Sequence, residues 1–256
     1  MKSNINNLVA KVDKFSNHLF EEEVSRRRQY VVVDVNNAEK LLEHLSYLIA
    51  YSQNAKSDSV RVVIDNGSLS KALCDFRLQD VVALNPCDVI EEHWEHLKGI
   101  RQQTKIFQIV MLARKLNSNE KLSENLTKPK IPKELHHIDD IEHFWTAFNL
   151  LKKELKLLGV PFFREATSLL HYLNSLGYDC IKPDSAAMKA AKSWDLLTEQ
   201  KKEISLEKRQ RELVETIQKH SVETRRKIPP SVLDLYLLIA GGQRDARRYV
   251  ASEFYT

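Results

Sequence analysis

One aspartate of this chain directly follows a proline and precedes a run of small, helix-forming residues. Asp184 lies between Pro183 and the segment SAAMKAAKS. At the start of a helix, a carboxylate accepts hydrogen bonds from backbone N–H groups, which keep it ionised and fix its direction. Such a carboxylate can stabilise developing positive charge and can orient or deprotonate water. Asp184 is therefore a candidate catalytic residue, and the same pattern is equally that of an ordinary helix cap.

Other kinds of site chemistry find little support among the remaining residues. The three cysteines, Cys74, Cys87 and Cys180, are odd in number and far apart, which argues against a disulfide framework, a zinc site or an iron–sulfur cluster. His136 and His137 are adjacent, so they would point in different directions on a helix, and no third ligand is evident. We expect neither a metal nor a cofactor.

The composition is that of a helical globular protein. The chain has 256 residues, of which 43% are hydrophobic and 29% charged, with only 6 Gly and 7 Pro. A net charge of +4 permits nucleic-acid binding but does not establish it. The N-terminal MKSNINNLVAKVDKF lacks the apolar core of a signal peptide, and no run of eighteen apolar residues occurs. We expect a cytoplasmic protein that does not span a membrane.

Apolar residues recur with helical spacing along most of the chain, which predicts a mostly α fold. The predicted helices cover residues 5–30, 38–51, 87–116, 140–159, 164–177, 185–197, 207–220 and 229–241. Gly99 is expected to interrupt the third of these helices. Two short segments are ambiguous, because residues 31–35 could form a strand and residues 59–65 either a strand or a helix.

A polar connector divides the predicted helices into two groups. Residues 117–137 are rich in Asn, Ser, Lys and Pro and are predicted to form a surface loop. We expect residues 1–256 to form a single two-lobed unit, with an early helical lobe at residues 36–126. The second lobe is predicted at residues 138–256, and the N-terminal helix is expected to join it.

Two motifs carry a resemblance to a known superfamily. In GVPFFREATSLLHYLNSLGYDCIKPDSAAMKAA, Gly159 to Ala191, a GVPF connection joins two predicted helices and a third helix follows Pro-Asp. This order resembles the helix-hairpin-helix DNA glycosylases, especially their archaeal 8-oxoguanine-type branches. The stretch IAYSQNAKS, Ile49 to Ser57, is similar to the Ser-Gln-Gln stretch that ends an early buried helix in that superfamily. The resemblance covers most of the chain and implies a two-lobed, helix-hairpin-helix glycosylase-like fold.

The resemblance implies a role for each matching residue. Asp184 would be the catalytic carboxylate in the hydrolysis of an N-glycosidic bond. The target nucleotide must rotate out of the duplex, and Gln53 and Asn54 would occupy the gap that it leaves. The flipped base needs an apolar or aromatic wall. The candidates for this wall are Tyr51, Trp94, Trp145 and Phe163, with Phe162 and Trp194 as further aromatic residues.

The predicted hairpin would bind a DNA phosphate through backbone N–H groups. Its residues Gly159, Val160 and Phe162, together with Arg164 and Lys182, are the predicted DNA contacts of this region. Pro161 replaces the second glycine of the usual G-x-G pattern and removes one donor.

Bifunctional relatives carry a lysine nucleophile just after the hairpin. The nearest counterpart here is Arg164, and a guanidinium cannot act as that nucleophile. The resemblance therefore implies a monofunctional glycosylase that leaves an abasic site, with Lys182 as the remaining candidate amine.

The implied partner is double-stranded DNA, and we infer no obligate protein partner. The biological setting would be base-excision repair or the removal of modified bases from phage DNA. Two alternatives stay open: a non-catalytic helix-hairpin-helix DNA-binding module, in which Asp184 only caps a helix, and an all-α protein-interaction scaffold. A cluster of basic residues could contact the DNA backbone or pair with Asp245 and Glu253. Its members are Arg225, Arg226, Lys227, Arg244, Arg247 and Arg248.

Overall fold

The computed structural model describes residues 2–29, 33, 35–53, 55–197 and 205–255. Within these ranges the regular structure is helical, apart from one isolated bridge between Ser16 and Val250. The earlier helices are α1 (Lys2–Phe15), α2 (His18–Gln29), α3 (Ala38–Tyr51), α4 (Ser57–Asp65), α5 (Ser68–Ala72), α6 (Leu78–Ala83) and α7 (Pro86–Leu97). The later helices are α8 (Thr104–Ser118), α9 (Glu120–Thr127), α10 (Ile138–Leu157), α11 (Ala166–Ser175), α12 (Ser185–Ser193), α13 (Leu206–Glu223) and α14 (Pro230–Ala240). The predicted mostly α class is confirmed.

The chain forms two compact units. The first unit contains Met1–Val32, Ile131–Phe148 and Ala166–Thr256, and the second contains Val33–Lys130 and Asn149–Glu165. Helix α10 contributes its first half to the first unit and its second half to the second unit. Whether the two units are the lobes of a glycosylase-like fold stays a prediction. None of the helices in the described ranges is long and apolar enough to cross a lipid bilayer.

The core of the first unit is built around α14. Nearly every residue of α14 is buried, and most of these residues are apolar. Helix α12 packs closely against its C-terminal end. A Cβ atom at Gly241 would lie 2.0 Å from the backbone oxygen of Ala186, so no side chain fits between the two helices at this point.

The core of the second unit contains the predicted apolar stripe of α3. Leu41, Leu45 and Ile49 are fully buried, and α3 packs against α8. The predicted interruption near Gly99 is confirmed, because α7 ends at Leu97 and a 3₁₀ turn, Lys98–Ile100, precedes α8. A Cβ atom at Gly99 would lie 2.4 Å from the backbone oxygen of Ser59, so α4 contacts the chain closely at this break.

Two sequence-based predictions need correction. The predicted loop at residues 117–137 contains helix α9, which Asn119 caps by accepting a hydrogen bond from the Leu122 N–H. Leu122 and Leu126 are spaced four residues apart and are buried, so they anchor α9 to the core. The predicted helix at residues 5–30 is two helices, since the side chain of Asn17 accepts from the Leu19 N–H and begins α2.

The two ambiguous segments have different outcomes. Residues 59–65 lie in α4 and are therefore helical. The possible strand at residues 31–35 falls mostly outside the described residues, which include only Val33 and Val35 of that segment.

Candidate functional site

Asp184 is the N-cap of α12. Its Oδ1 atom accepts hydrogen bonds from the backbone N–H groups of Ala186, at 3.0 Å, and Ala187, at 3.1 Å. The residue has extended backbone angles and is half-buried. Both hydrogen bonds of the cap are accepted by Oδ1, so Oδ2 takes no part in the cap. Capping fixes the direction of this carboxylate, so capping and chemistry are compatible.

Side chains from distant parts of the first unit hold the chain that leads to Asp184. We call residues 179–184 the tethered segment, because side chains hydrogen-bond to much of its backbone. The carbonyl acceptors and their donors are Asp179 O with Gln218 Nε2 at 2.8 Å, Cys180 O with Asn174 Nδ2 at 2.7 Å, and Pro183 O with Gln210 Nε2 at 3.0 Å. The Lys182 N–H donates to Asp234 Oδ1 at 3.2 Å. Four side chains from three helices therefore fix the approach to Asp184.

The first residue of the tethered segment is itself a buried acid. Asp179 is 5% exposed, and its Oδ2 accepts a hydrogen bond of 2.8 Å from the Leu135 N–H. Arg226 Nη1 lies 2.8 Å from the same oxygen, in the geometry of an ion pair rather than of an aligned hydrogen bond. Burial raises the pKa of Asp179, although the Leu135 N–H and Arg226 oppose that rise. Arg226, one candidate of the basic cluster, therefore has a structural partner.

A second buried acid, Asp234, supports the same segment from α14. Its Oδ2 accepts a hydrogen bond of 3.0 Å from Arg27 Nη1, and Arg27 Nε donates to Glu23 Oε1 at 2.8 Å. Burial raises the pKa of Asp234, and the negative charge of Asp184 raises it further, whereas Arg27 lowers it. Asp234 therefore joins α2, α14 and the backbone just before Asp184.

The connection between α10 and α11 spans residues 158–165, so it is longer than the predicted GVPF connection. Gly159 has a left-handed φ of +60°, and its N–H donates to Lys156 O at 3.1 Å. The Val160 N–H donates to Leu155 O at 3.0 Å, and both of these apolar residues are buried. These two bonds form a Schellman motif that ends α10. Gly159 and Val160 thus use their N–H groups within the chain, and the predicted phosphate contact would need other donors.

The other predicted contacts of this connection differ in exposure. Arg164 is exposed and precedes α11, so its guanidinium is accessible to an anion. Phe163 is 1% exposed, and its ring centroid lies 5.3 Å from that of the half-buried Phe162. Phe162 has a φ of +74°, a conformation that bulky residues rarely adopt.

The predicted gap-filling residues lie just after α3. Gln53 is exposed and has a left-handed φ of +54°, whereas Asn54 lies outside the described residues. Tyr51 is half-buried at the end of α3, and burial raises the pKa of its phenol. The side chain of a buried lysine donates hydrogen bonds to the backbone of this region.

That lysine, Lys105, is fully buried at the start of α8. Its Nζ donates to three carbonyl oxygens, those of Ala50 at 2.7 Å, Ser52 at 2.8 Å and Ile100 at 2.9 Å. Burial, with a smaller contribution from the charge of Arg101, lowers the pKa of Lys105 to about 8. Lys105 therefore neutralises the end of α3 and fixes the chain before Gln53.

The three tryptophans have different surroundings. Trp145 is 3% exposed, donates its Nε1–H to Gln218 Oε1 at 3.1 Å and contacts Phe148 and Arg211. Its ring is thus enclosed in the core of the first unit. Trp94, on α7 in the second unit, and Trp194, at the end of α12, are half-buried.

The structure brings only some of the predicted site residues together within one unit. Asp184, Lys182, Trp145 and Trp194 belong to the first unit. The second unit contains Tyr51, Gln53, Gly159, Val160, Phe162, Phe163, Arg164 and Trp94. Within the described ranges, no group of three His, Cys, Asp or Glu residues is placed to hold a metal ion.

Sequence reasoning missed the residues that hold the tethered segment. One of them left a signal, because Asp234 is the only charged residue in the apolar run at residues 229–241. A buried acid in such a run needs a partner. The sequence indicates this need but does not identify the partner. Arg27, Gln210 and Gln218 lie in ordinary polar helix patterns and left no comparable signal.

No protein-family model, curated protein or solved structure matches this chain.

Proposed function

We propose that the protein is a monofunctional DNA glycosylase that removes a damaged or modified base and leaves an abasic site. One observation carries the proposal. Asp184 ends a segment whose backbone is held by four side chains, and its helix cap uses only one of its two carboxylate oxygens. The reaction requires a carboxylate whose direction is fixed and one of whose oxygens takes no part in the helix cap, and Asp184 meets both requirements.

The proposed reaction is the hydrolysis of an N-glycosidic bond. As the C1′–N bond breaks, its electron pair leaves with the base and positive charge develops on the sugar. The ionised Asp184 stabilises that charge and accepts a proton from the water that adds to C1′. The proton passes finally to the departing base, so that the products are the free base and an abasic sugar.

The absence of lyase chemistry is part of the proposal. Strand cleavage by this class of enzyme requires an amine that forms a Schiff base with the sugar. Arg164 is the nearest counterpart of that lysine, one residue displaced, and a guanidinium does not form a Schiff base. Lys182 is the amine nearest to Asp184 in the chain, and its replacement by glutamine tests whether it contributes.

The decisive variant is Asp184→Asn, because asparagine is as good a helix cap as aspartate but carries no charge. Duplexes that contain a panel of modified bases are incubated with the wild-type protein and with the variant. Free base and alkali-dependent strand breaks are then measured. We expect the variant to release base at least about 100-fold more slowly, as typical for loss of an acid–base group. Its melting temperature should match that of the wild type.

The outcomes separate the proposal from its alternatives. Base release that survives in Asp184→Asn removes Asp184 from the chemistry. Strand breaks without alkali, trapped by borohydride and abolished by Lys182→Gln, contradict the monofunctional assignment. Salt-dependent DNA binding without base release from any duplex supports the non-catalytic DNA-binding module instead.

A further inference from the structure

A group of cationic and aromatic side chains lies on the first unit, on α1, on α12 and on two 3₁₀ turns, Arg244–Tyr249 and Ser252–Tyr255. We call this group the basic-aromatic surface. Its members are Lys11, Lys189, Arg247, Trp194, Phe254 and Tyr255. The three cationic residues are exposed. Segments far apart in the sequence thus converge to display positive charge.

Two of the cations, Arg247 and Lys189, lie close to Gly242. A Cβ atom at Gly242 would lie 3.7 Å from Arg247 Nη2 and 4.0 Å from Lys189 Nζ. Both charges therefore face the same space beside the end of α14. The guanidinium of Arg247 also lies 5.2 Å from the centroid of the Tyr255 ring, which orients it.

The third cation is held between two aromatic rings. Lys11 Nζ lies 5.0 Å from the centroid of the Phe254 ring and 6.0 Å from that of Trp194. Lys11 comes from α1 and Trp194 ends α12, so the surface continues from one helix to the other. Aromatic contacts of this kind orient a lysine without neutralising its charge.

These cations differ from Arg27 and Arg226 of the same unit in their partners. Arg27 pairs with Asp234 and Arg226 pairs with Asp179, in both cases with a buried carboxylate. Within the described residues, Lys11, Lys189 and Arg247 form no ion pair with any carboxylate. Their charge is therefore available to an external anion.

We propose that the basic-aromatic surface binds the sugar–phosphate backbone of duplex DNA. Several oriented cations without acidic partners can each contact one phosphate of a DNA strand. Each such contact releases counterions from the DNA, which favours binding. Helix α12 carries both Asp184 and Lys189, and five residues of helix advance about 7.5 Å. The surface would therefore hold the backbone close to the candidate catalytic residue. The choice of DNA as the ligand rests on the proposed function, whereas the positions of these cations do not depend on base removal.

The surface fits nucleic acid better than a lipid bilayer. Membrane-binding surfaces combine cations with apolar side chains that insert between lipids. Here Phe254 is 4% exposed, and the Tyr255 hydroxyl donates to Ile239 O at 2.9 Å. Phe254 thus supports Lys11 from within the surface, and the Tyr255 ring, although 39% exposed, is fixed through its hydroxyl and is not free to insert between lipids.

The test compares two double variants of equal charge change. Lys189→Gln with Arg247→Gln removes two charges from the basic-aromatic surface. The matched control, Lys208→Gln with Lys219→Gln, removes two charges from exposed positions on α13 of the same unit. Binding of a fluorescent, unmodified 20-base-pair duplex is measured by anisotropy between about 50 and 300 mM salt. Asp184→Asn serves as the parent protein, so that no reaction occurs.

We expect the surface variant to bind at least about tenfold more weakly at 0.1 M salt. Its slope of log K against log salt should fall by about 2, and the control should change by much less than that. Equal binding by both double variants overturns the inference, even if Asp184 proves catalytic. Weakened binding of the surface variant alone supports it, even if the wild type releases no base. Binding to phosphatidylserine vesicles but not to DNA, lost in the surface variant, assigns the surface to membranes and also overturns it.

Discussion

Two connections of this chain, residues 158–165 and the tethered segment at residues 179–184, are stabilised in different ways. The first is closed by local backbone bonds, in which Gly159 and Val160 donate to the last turn of α10. The second is held by side chains of which most are distant in sequence, among them Gln210, Gln218 and Asp234. Both connections precede a helix, and in the second one side chains of other helices hydrogen-bond directly to the backbone.

This difference shows what each connection can contribute to a site. A Schellman motif ends a helix wherever a glycine permits a left-handed turn, so it carries little information about function. Polar side chains that converge on a short segment cost free energy to order and to bury. The backbone of the tethered segment is therefore held in one position, and Asp184 lies at its end.

The largest effect is expected when the tether to α14 is broken. Asp234→Ala removes the buried carboxylate that pairs with Arg27, which then keeps only the Ser231 carbonyl oxygen on α14, and it leaves the Lys182 N–H without its acceptor. Removing one partner of a buried pair costs about 3–5 kcal/mol. Urea denaturation should report a loss of that size in the free energy of unfolding.

The matched control for this variant is an exposed ion pair in the same unit. Glu215→Ala removes the partner of Arg211 on α13, whose side chain is 48% exposed. Exposed pairs contribute about 0–1 kcal/mol, so we expect little change. Similar losses in the two variants would show that the buried tether is no stronger than a surface pair.

A smaller effect is expected from crowding the contact between α12 and α14. Gly241→Ala places a Cβ atom against the Ala186 carbonyl, so the two helices must separate. Overpacking of this kind costs about 1–3 kcal/mol. The shift also moves Asp184, so base release should fall by more than the fraction of unfolded protein explains. A variant as active per folded molecule as the wild type would contradict the role of this contact in positioning Asp184.

The smallest effect is expected in the 158–165 connection. Gly159→Ala meets no atom within 4 Å, so its cost arises only from the left-handed φ and is about 1 kcal/mol. Thermal melting measures this loss. We expect DNA binding to be unchanged, since the Gly159 N–H already donates within the chain. A large loss of DNA affinity without unfolding would show instead that this turn contacts the phosphate.

Much of the secondary structure could be predicted, because its signals are local. The apolar stripe of α3, the break at Gly99 and the cap Asp184 depend on residues within a few positions of each other. The prediction of a loop was wrong at residues 120–127, where a polar composition hid α9. That helix needs only Leu122 and Leu126 to reach the core, and two residues are too few to mark a periodic pattern.

The candidate site was predictable only in part. The position of Asp184 at a helix start follows from Pro-Asp and the residues after it, so it could be identified from the sequence. Its supporting residues could not, because Arg27 and Asp234 are 207 positions apart and their pairing depends on packing. The same holds for Lys189 and Arg247, which converge at Gly242 from separate segments.

The sequence alone determined that this protein is mostly helical, where several of its helices begin and end, and that Asp184 caps one of them. These properties depend on propensities and hydrogen bonds between near neighbours. The tertiary structure decided which acids are buried with arginines, which cations stay without partners, and how the backbone before Asp184 is held. Those properties depend on contacts between residues far apart in the chain, which form only when the helices pack.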